Sequence, residues 1–149
     1  NTLDNIISRY TIVDSVIIAG ETESQFRYNE QFIPVYQELF SNVYDRIKQK
    51  HPDVKFGNSF ALHQVLNKNL KDIVNELAIG DFVAFSYTPT DILNEIRKIE
   101  AILENEPEHL MYDFYAFSYD NCIQVIKSLD SPRTKSFIIR ELRELFYES

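Results

Sequence analysis

Tryptophan is absent from this chain of 149 residues, cysteine and methionine occur once each, and glycine occurs three times. The lone cysteine, Cys122, excludes an internal disulfide and offers no second thiolate for a metal cluster. Three glycines supply neither a Gly-x-Gly-x-x-Gly fingerprint nor a Walker phosphate cradle, which disfavours nucleotide binding. No Gly-x-Ser-x-Gly elbow presents a nucleophilic serine; Ser59, Ser86 and Ser118 lie in ordinary strand contexts. Positive charge is also scarce: 15 Lys and Arg face 23 Asp and Glu, a formal net charge of −8, and Lys48, Lys50 and Lys55 are dispersed among acids. Phosphate backbones and anionic membrane surfaces are held by clustered bases, so neither nucleic acid nor membrane is an expected partner. No apolar stretch approaches the ~20 residues that span a bilayer, and no basic-then-apolar signal opens the chain. Residue 1 is Asn and not Met, so a processed form or a piece of something longer is expected, and the compartment stays open. His51, His63 and His109 form no pair with metal-site spacing, and no metal or cofactor is expected.

What the chain does have is apolar material, 44% of residues with eleven Phe and nine Tyr, enough for one globular domain over residues 1–149 that buries roughly two-thirds of its unfolded surface. That material alternates in period. Helical spacing runs through residues 2–10, then through residues 30–50 on Phe32, Ile33, Tyr36, Leu39, Phe40, Val43 and Ile47. It recurs on Leu66, Leu70, Ile73, Val74 and Leu77 up to Gly80, and on Ile92, Ile96, Ile99 and Leu103 after a cap at Thr90 or Asp91. Between these lie short continuous apolar runs, at residues 12–19, 54–60, 81–87 and 110–118, the pattern of strands covered by other elements. A helix is expected from near Asp120, a break at residues 128–132, and a last amphipathic helix on Phe137, Ile138, Leu142, Leu145 and Phe146. Strands separated by helices of this length predict an α/β fold of right-handed, parallel βα units.

Parallel sheets place their chemistry beyond the carboxyl ends of the strands. Those ends carry Gly20-Glu21-Thr22-Glu23, Ser86-Tyr87 and Asp113 with Tyr115. A carboxylate inside an apolar strand, as at Asp113, must be paired, hydrogen-bonded or neutral. Tyr36-Gln-Glu-Leu-Phe40, Ile47-Lys48, Pro52-Asp-Val-Lys-Phe-Gly57 and Asp81-Phe-Val-Ala-Phe-Ser-Tyr-Thr-Pro89 follow in order, then Leu110-Met-Tyr-Asp-Phe-Tyr-Ala-Phe-Ser118 and Ser131-Pro-Arg-Thr-Lys-Ser-Phe-Ile-Ile139. Over roughly residues 12–147 this text resembles the fourth to seventh strands of a (β/α)8-barrel retaining glycoside hydrolase of the cellulase and galactanase superfamily. The resemblance implies Glu21 or Glu23 as acid/base, Asp113 as nucleophile, and Tyr87, Asn58, His63 and Tyr115 against a β-linked glycan.

The departures have chemical weight. Aligning Gly20 with the family's glycine puts Glu21 at an Asn position and Thr22 at the acid/base, and a hydroxyl cannot do the work of a protonated carboxyl. Asp113 is one methylene shorter than the usual Glu nucleophile, in a reaction that needs its carboxyls about 5–5.5 Å apart. The aromatic of the last strand, commonly Trp, has no counterpart. Four βα units cannot close an eight-stranded barrel, so the resemblance implies a partial TIM barrel, either a fragment with barrel segments elsewhere or a half that closes as a homo-oligomer. Three functions follow: a glycosidase, a non-catalytic carbohydrate-binding or interaction domain on the same scaffold, or an α/β domain whose open sheet edges pair with another chain.

Overall fold

The computed structural model describes residues 2–10, 12–87, 110–116, 123–124, 126–127 and 134–142, and for residues 87, 110–116 and 135–142 the backbone alone. In order these form α1 (Thr2–Arg9), β1 (Ser15–Ala19), α2 (Thr22–Phe26), a 3₁₀ turn (Glu30–Phe32) running into α3 (Ile33–Lys48), and β2 (Lys55–Ala61). They continue with α4 (Leu62–Lys68), α5 (Lys71–Leu77), β3 (Phe82–Tyr87), β4 (Leu110–Ala116) and β5 (Thr134–Leu142), and residues 123–124 and 126–127 are helical. The five strands make one sheet in chain order, β1-β2-β3-β4-β5, with every neighbouring pair parallel. The fold is α/β and singly wound.

A right-handed crossover that always steps to the next strand in the same direction must lay its helices on one face of the sheet. The packing has that form. Val16, Ile18 and Phe56 meet Ile7 of α1 and Phe40 and Ile47 of α3, while Phe60, Val83 and Phe85 meet Ile33, Val65, Val74, Leu77 and Ile126. Strand pleating then puts Gly57, Ser59, Ala61, Phe82, Ala84 and Ser86 on the opposite face, in three register rows, Gly57 beside Phe82, Ser59 beside Ala84 and Ala61 beside Ser86. β2 is buried on both faces, which is why its sequence carries no polar-apolar alternation.

The amino ends of β2 and β3 are held by one carboxylate. Asp81, just before β3, accepts from the Phe56 backbone N–H at 2.9 Å and the Tyr44 hydroxyl at 2.8 Å, pairs with Lys48 at 3.0 Å, and donates its own N–H to the Phe56 carbonyl at 2.7 Å. Burial pushes the Asp81 carboxyl up, but the Phe56, Lys48 and Tyr44 bonds outweigh it and leave the group below the usual carboxylate value. Tyr44, half-buried beside that charge, is pushed up to about 12. An open groove of about 360 Å³ lies at this end, lined by Phe40, Ser41, Tyr44, Asp45, Ile79 and Gly80.

Three expectations from the sequence are corrected. The helix expected through Phe137, Ile138 and Leu142 is β5, because Phe137-Ile-Ile139 is an uninterrupted apolar run, aromatic and β-branched, of the kind that pairs with β4. The described sheet accordingly has five strands and not four. The single helix expected up to Gly80 is split into α4 and α5 at Asn69, which takes a left-handed conformation, φ 52°, and lets the Leu70 N–H close on the Val65 carbonyl. β1 begins at Ser15, later than the expected 12. The expected helix on Ile92–Leu103 and the segment 117–122 lie outside the described residues.

Two predictions follow from this packing. A Cβ on Gly57 would stand 2.1 Å from the Phe82 carbonyl oxygen, whereas one on Gly20 meets nothing within 4 Å. Gly57→Ala is expected to lose about 1–3 kcal/mol or more in urea unfolding, the range of overpacked cores, and Gly20→Ala very little. For Asp81, a folded value below the unfolded one means that the stability it contributes is complete above about pH 3.9 and is lost as pH falls through the folded value. The stability gap between wild type and Asp81→Asn is therefore widest near neutral pH and narrows below about pH 3.9, checked by urea titrations across that range.

Candidate functional site

At the carboxyl ends of the strands the chain after β1 does not simply loop away. The register with β2 shifts between Ile17 and Ala19, Gly20 turns, and Glu21 takes a left-handed conformation, φ 49° and ψ 48°, at the cap of α2. A non-glycine residue held there marks a turn the surroundings over-determine. Thr22 supplies the reason: its hydroxyl, fully buried, lies 3.0 Å from the Ala19 carbonyl and 3.1 Å from the Ser59 carbonyl and shares its proton between them. The first turn of α2 is thereby pinned across the ends of β1 and β2.

Glu23, next in that turn, is 0% exposed. Its carboxylate accepts the Ala61 backbone N–H with both oxygens, at 3.2 and 3.3 Å, at the point where β2 becomes α4. Burial pushes the Glu23 carboxyl above the usual value, the neighbouring Glu21 charge adds to this, and the backbone N–H bonds and Arg27 oppose it. A carboxyl that favours its protonated form is the electrostatic requirement of a general acid. Position 61 also fixes a row across the sheet, since Ala61 pairs with Ser86, Ser86 with Asp113 and Asp113 with Ile138. Two strand spacings separate Ala61 from Asp113, on the order of 10 Å between backbone positions.

The remaining residues singled out from the sequence fall in three places. Glu21 and His63, the second residue of α4, are exposed on the same rim as Glu23. Tyr87 ends β3 beside Phe114, and Tyr115 follows Asp113 by two on β4, so those two β4 positions share the face away from the helices. Asn58 is elsewhere: it is 0% exposed on the helix face, where it accepts from the Tyr36 hydroxyl at 2.6 Å and donates to the Leu77 carbonyl at 2.9 Å. There it ties α3 and the end of α5 to β2, and burial pushes Tyr36 up to about 12.

Sequence reasoning missed the cation of this rim. Arg27, one turn after Glu23, donates its backbone N–H to the Glu23 carbonyl at 3.0 Å and Nη1 to Gln64 Oε1 of α4 at 3.3 Å. Its guanidinium carbon stands 4.7 Å from the ring centre of Tyr28, which is 77% exposed. The i, i+4 spacing of Glu23 and Arg27 was a signal, but one that predicts an ion pair along α2. In the structure the Glu23 carboxylate turns to Ala61 instead.

No family model matches the chain, and no solved structure matches it. Among curated proteins, one named alpha-agarase, from Thalassotalea agarivorans, is 30% identical over 103 residues, which take in 66% of this chain. The chain spans 6% of the length of that relative.

Protonation of Glu23 can be tested by stability. A carboxyl whose folded value lies above its unfolded one is a group whose ionisation works against the fold, so stability falls as pH rises from about 4.3 through the raised value. Glu23→Gln, which keeps an acceptor for the Ala61 N–H, is expected to gain stability relative to wild type as pH rises through that window. Equal pH profiles of the two proteins, measured by urea unfolding, would remove the shift.

Proposed function

We propose that this chain is an arc of a glycoside hydrolase-type (β/α)8 barrel, and that the rim at the carboxyl ends of its strands takes a glycan, with Glu23 as proton donor and Asp113 as the opposing carboxylate. The observation that carries the reading is Glu23, a buried carboxyl with its value raised, bonded to the backbone of Ala61, the position whose row across the sheet also contains position 113. Two further facts support it. A singly wound parallel sheet with its described helices on one face is the arrangement of a barrel wall, with the other face turned to the interior. The similarity to part of an agarase supports a glycan as the ligand class.

In this reading the row sets the reaction geometry. Ala61, to which Glu23 is bonded, stands about 10 Å along the row from Asp113, and a glycosidase needs its two carboxyls about 5–5.5 Å apart for retention or 6.5–9.5 Å for inversion. Glu23 would give its proton to the leaving glycosidic oxygen, and Asp113 would either attack the anomeric carbon or activate water on the opposite face. Glu21, His63, Tyr87 and Tyr115 lie on the elements that border the path of the glycan. Strands completing the barrel come from outside these residues, or from a second copy.

A second reading, glycan binding without turnover, is favoured by one specific observation. Glu23 has no exposed surface and is bonded to the framework, while Thr22 stands where the resemblance puts the acid/base. The experiment that separates the two uses oligosaccharides from agar, which present both α and β linkages. Hydrolysis that falls at least a hundredfold in both Glu23→Gln and Asp113→Asn while binding persists is the result expected of the catalytic reading, following the size of general acid contributions, about 10²–10⁴. Binding with no release of reducing ends by any variant selects the second reading. Absence of binding in wild type contradicts both.

A further inference from the structure

Resting on the glycan reading, we propose that Arg27 and Tyr28 form a subsite for an acidic sugar, one bearing a carboxylate or a sulfate, beside the Glu23 rim. The first observation is charge without a partner. In a chain with 23 acids and 15 bases, Arg27 has no carboxylate within 4.0 Å among the described residues, while Lys48 and Lys50 each have one. Glu23, the acid closest to it along α2, spends its carboxylate on the Ala61 N–H.

The second observation is an unfilled hydrogen bond. Among the described residues Nε of Arg27 is buried and has no acceptor, and Nη1 donates to Gln64 Oε1 at 3.3 Å. A buried N–H without an acceptor costs about 1–3 kcal/mol, so its persistence needs a reason. The Nε and Nη2 edge of a guanidinium is the fork that matches a carboxylate or sulfate with two parallel bonds. The third observation is the flanking ring: Tyr28 stands 77% exposed beside the guanidinium, 4.7 Å from centre to carbon. An exposed aromatic next to a fork suits a sugar ring, whose apolar face stacks while its acidic substituent is held.

The test is calorimetric titration of the wild-type chain with three probes, a uronic acid trisaccharide, a sulfated galactan oligosaccharide and a neutral galactan oligosaccharide of equal length. At least one acidic probe is expected to bind about tenfold or more tighter than the neutral one, the gain of a charge-assisted pair, and which one it is distinguishes carboxylate from sulfate. Arg27→Gln should bring acidic binding down to the neutral level and leave neutral binding alone; Arg27→Lys should recover only part of it. If Arg27→Gln unfolds, Tyr28→Ala and the salt dependence of wild-type binding serve instead: acidic binding should weaken steeply with salt and neutral binding should not. Equal binding of acidic and neutral probes, or acidic binding indifferent to Arg27, overturns the subsite and leaves the glycan reading standing. No binding of any probe overturns both.

Discussion

The carboxylate of Glu23, held out of water against the backbone N–H of Ala61, is the contact on which the carboxyl-end rim depends. An isolated ionised carboxylate in an apolar setting is expensive, and such a group relieves the cost by taking a proton or by finding donors. Glu23 finds donors in backbone N–H groups, and burial still leaves its carboxyl above the usual value. Its bond to Ala61 fastens α2 to the junction of β2 and α4, and Thr22, wedged between the Ala19 and Ser59 carbonyls, fastens the same turn to β1. Glu21 and Arg27 project from the turn so fixed, and Gln64 and His63 from the helix it is fixed to. One short helix thus brings acids, a cation and an amide to one edge.

The opposite end of the sheet has a different task. Asp81 joins β2, β3 and α3 through bonds to Phe56, Lys48 and Tyr44, its charge well compensated and its value lowered. Two buried or half-buried carboxyls therefore sit at the two ends of the strands with shifts of opposite sign. The one at the amino ends gives stability by being ionised. The one at the carboxyl ends gives up stability when it ionises. Between them Gly57 allows β3 to approach β2 closely.

The strands up to residue 116 were legible because a strand buried by its neighbours must be written as a continuous apolar run, as in Phe82–Phe85, and the sequence of β4 opens with the same apolar text, Leu110-Met-Tyr112. β5 was misassigned for a reason of the same kind: Phe137, Ile138 and Leu142 fit a helical face as well as a strand, and the run Phe137-Ile-Ile139 is the only local feature that decides. Asn58 shows the limit for polar residues. Its type fits a sugar ligand, but which face of β2 it occupies depends on Tyr36 and Leu77, 22 and 19 residues away. Arg27 was invisible for the same cause, since Gln64 and the turned-away Glu23 carboxylate become its surroundings only once α2 crosses β2.

The most direct measurement is a ¹⁵N-edited NMR titration of the chain with a neutral oligosaccharide from agar, following every backbone amide. A glycan rim at the carboxyl ends predicts shifts concentrated at residues 20–28, at Ala61 to Gln64 and around Asp113, with the Ala61 amide, bonded to Glu23, among the most affected. Shifts confined to the groove at Phe40, Tyr44 and Gly80, or no shifts at all, would contradict it.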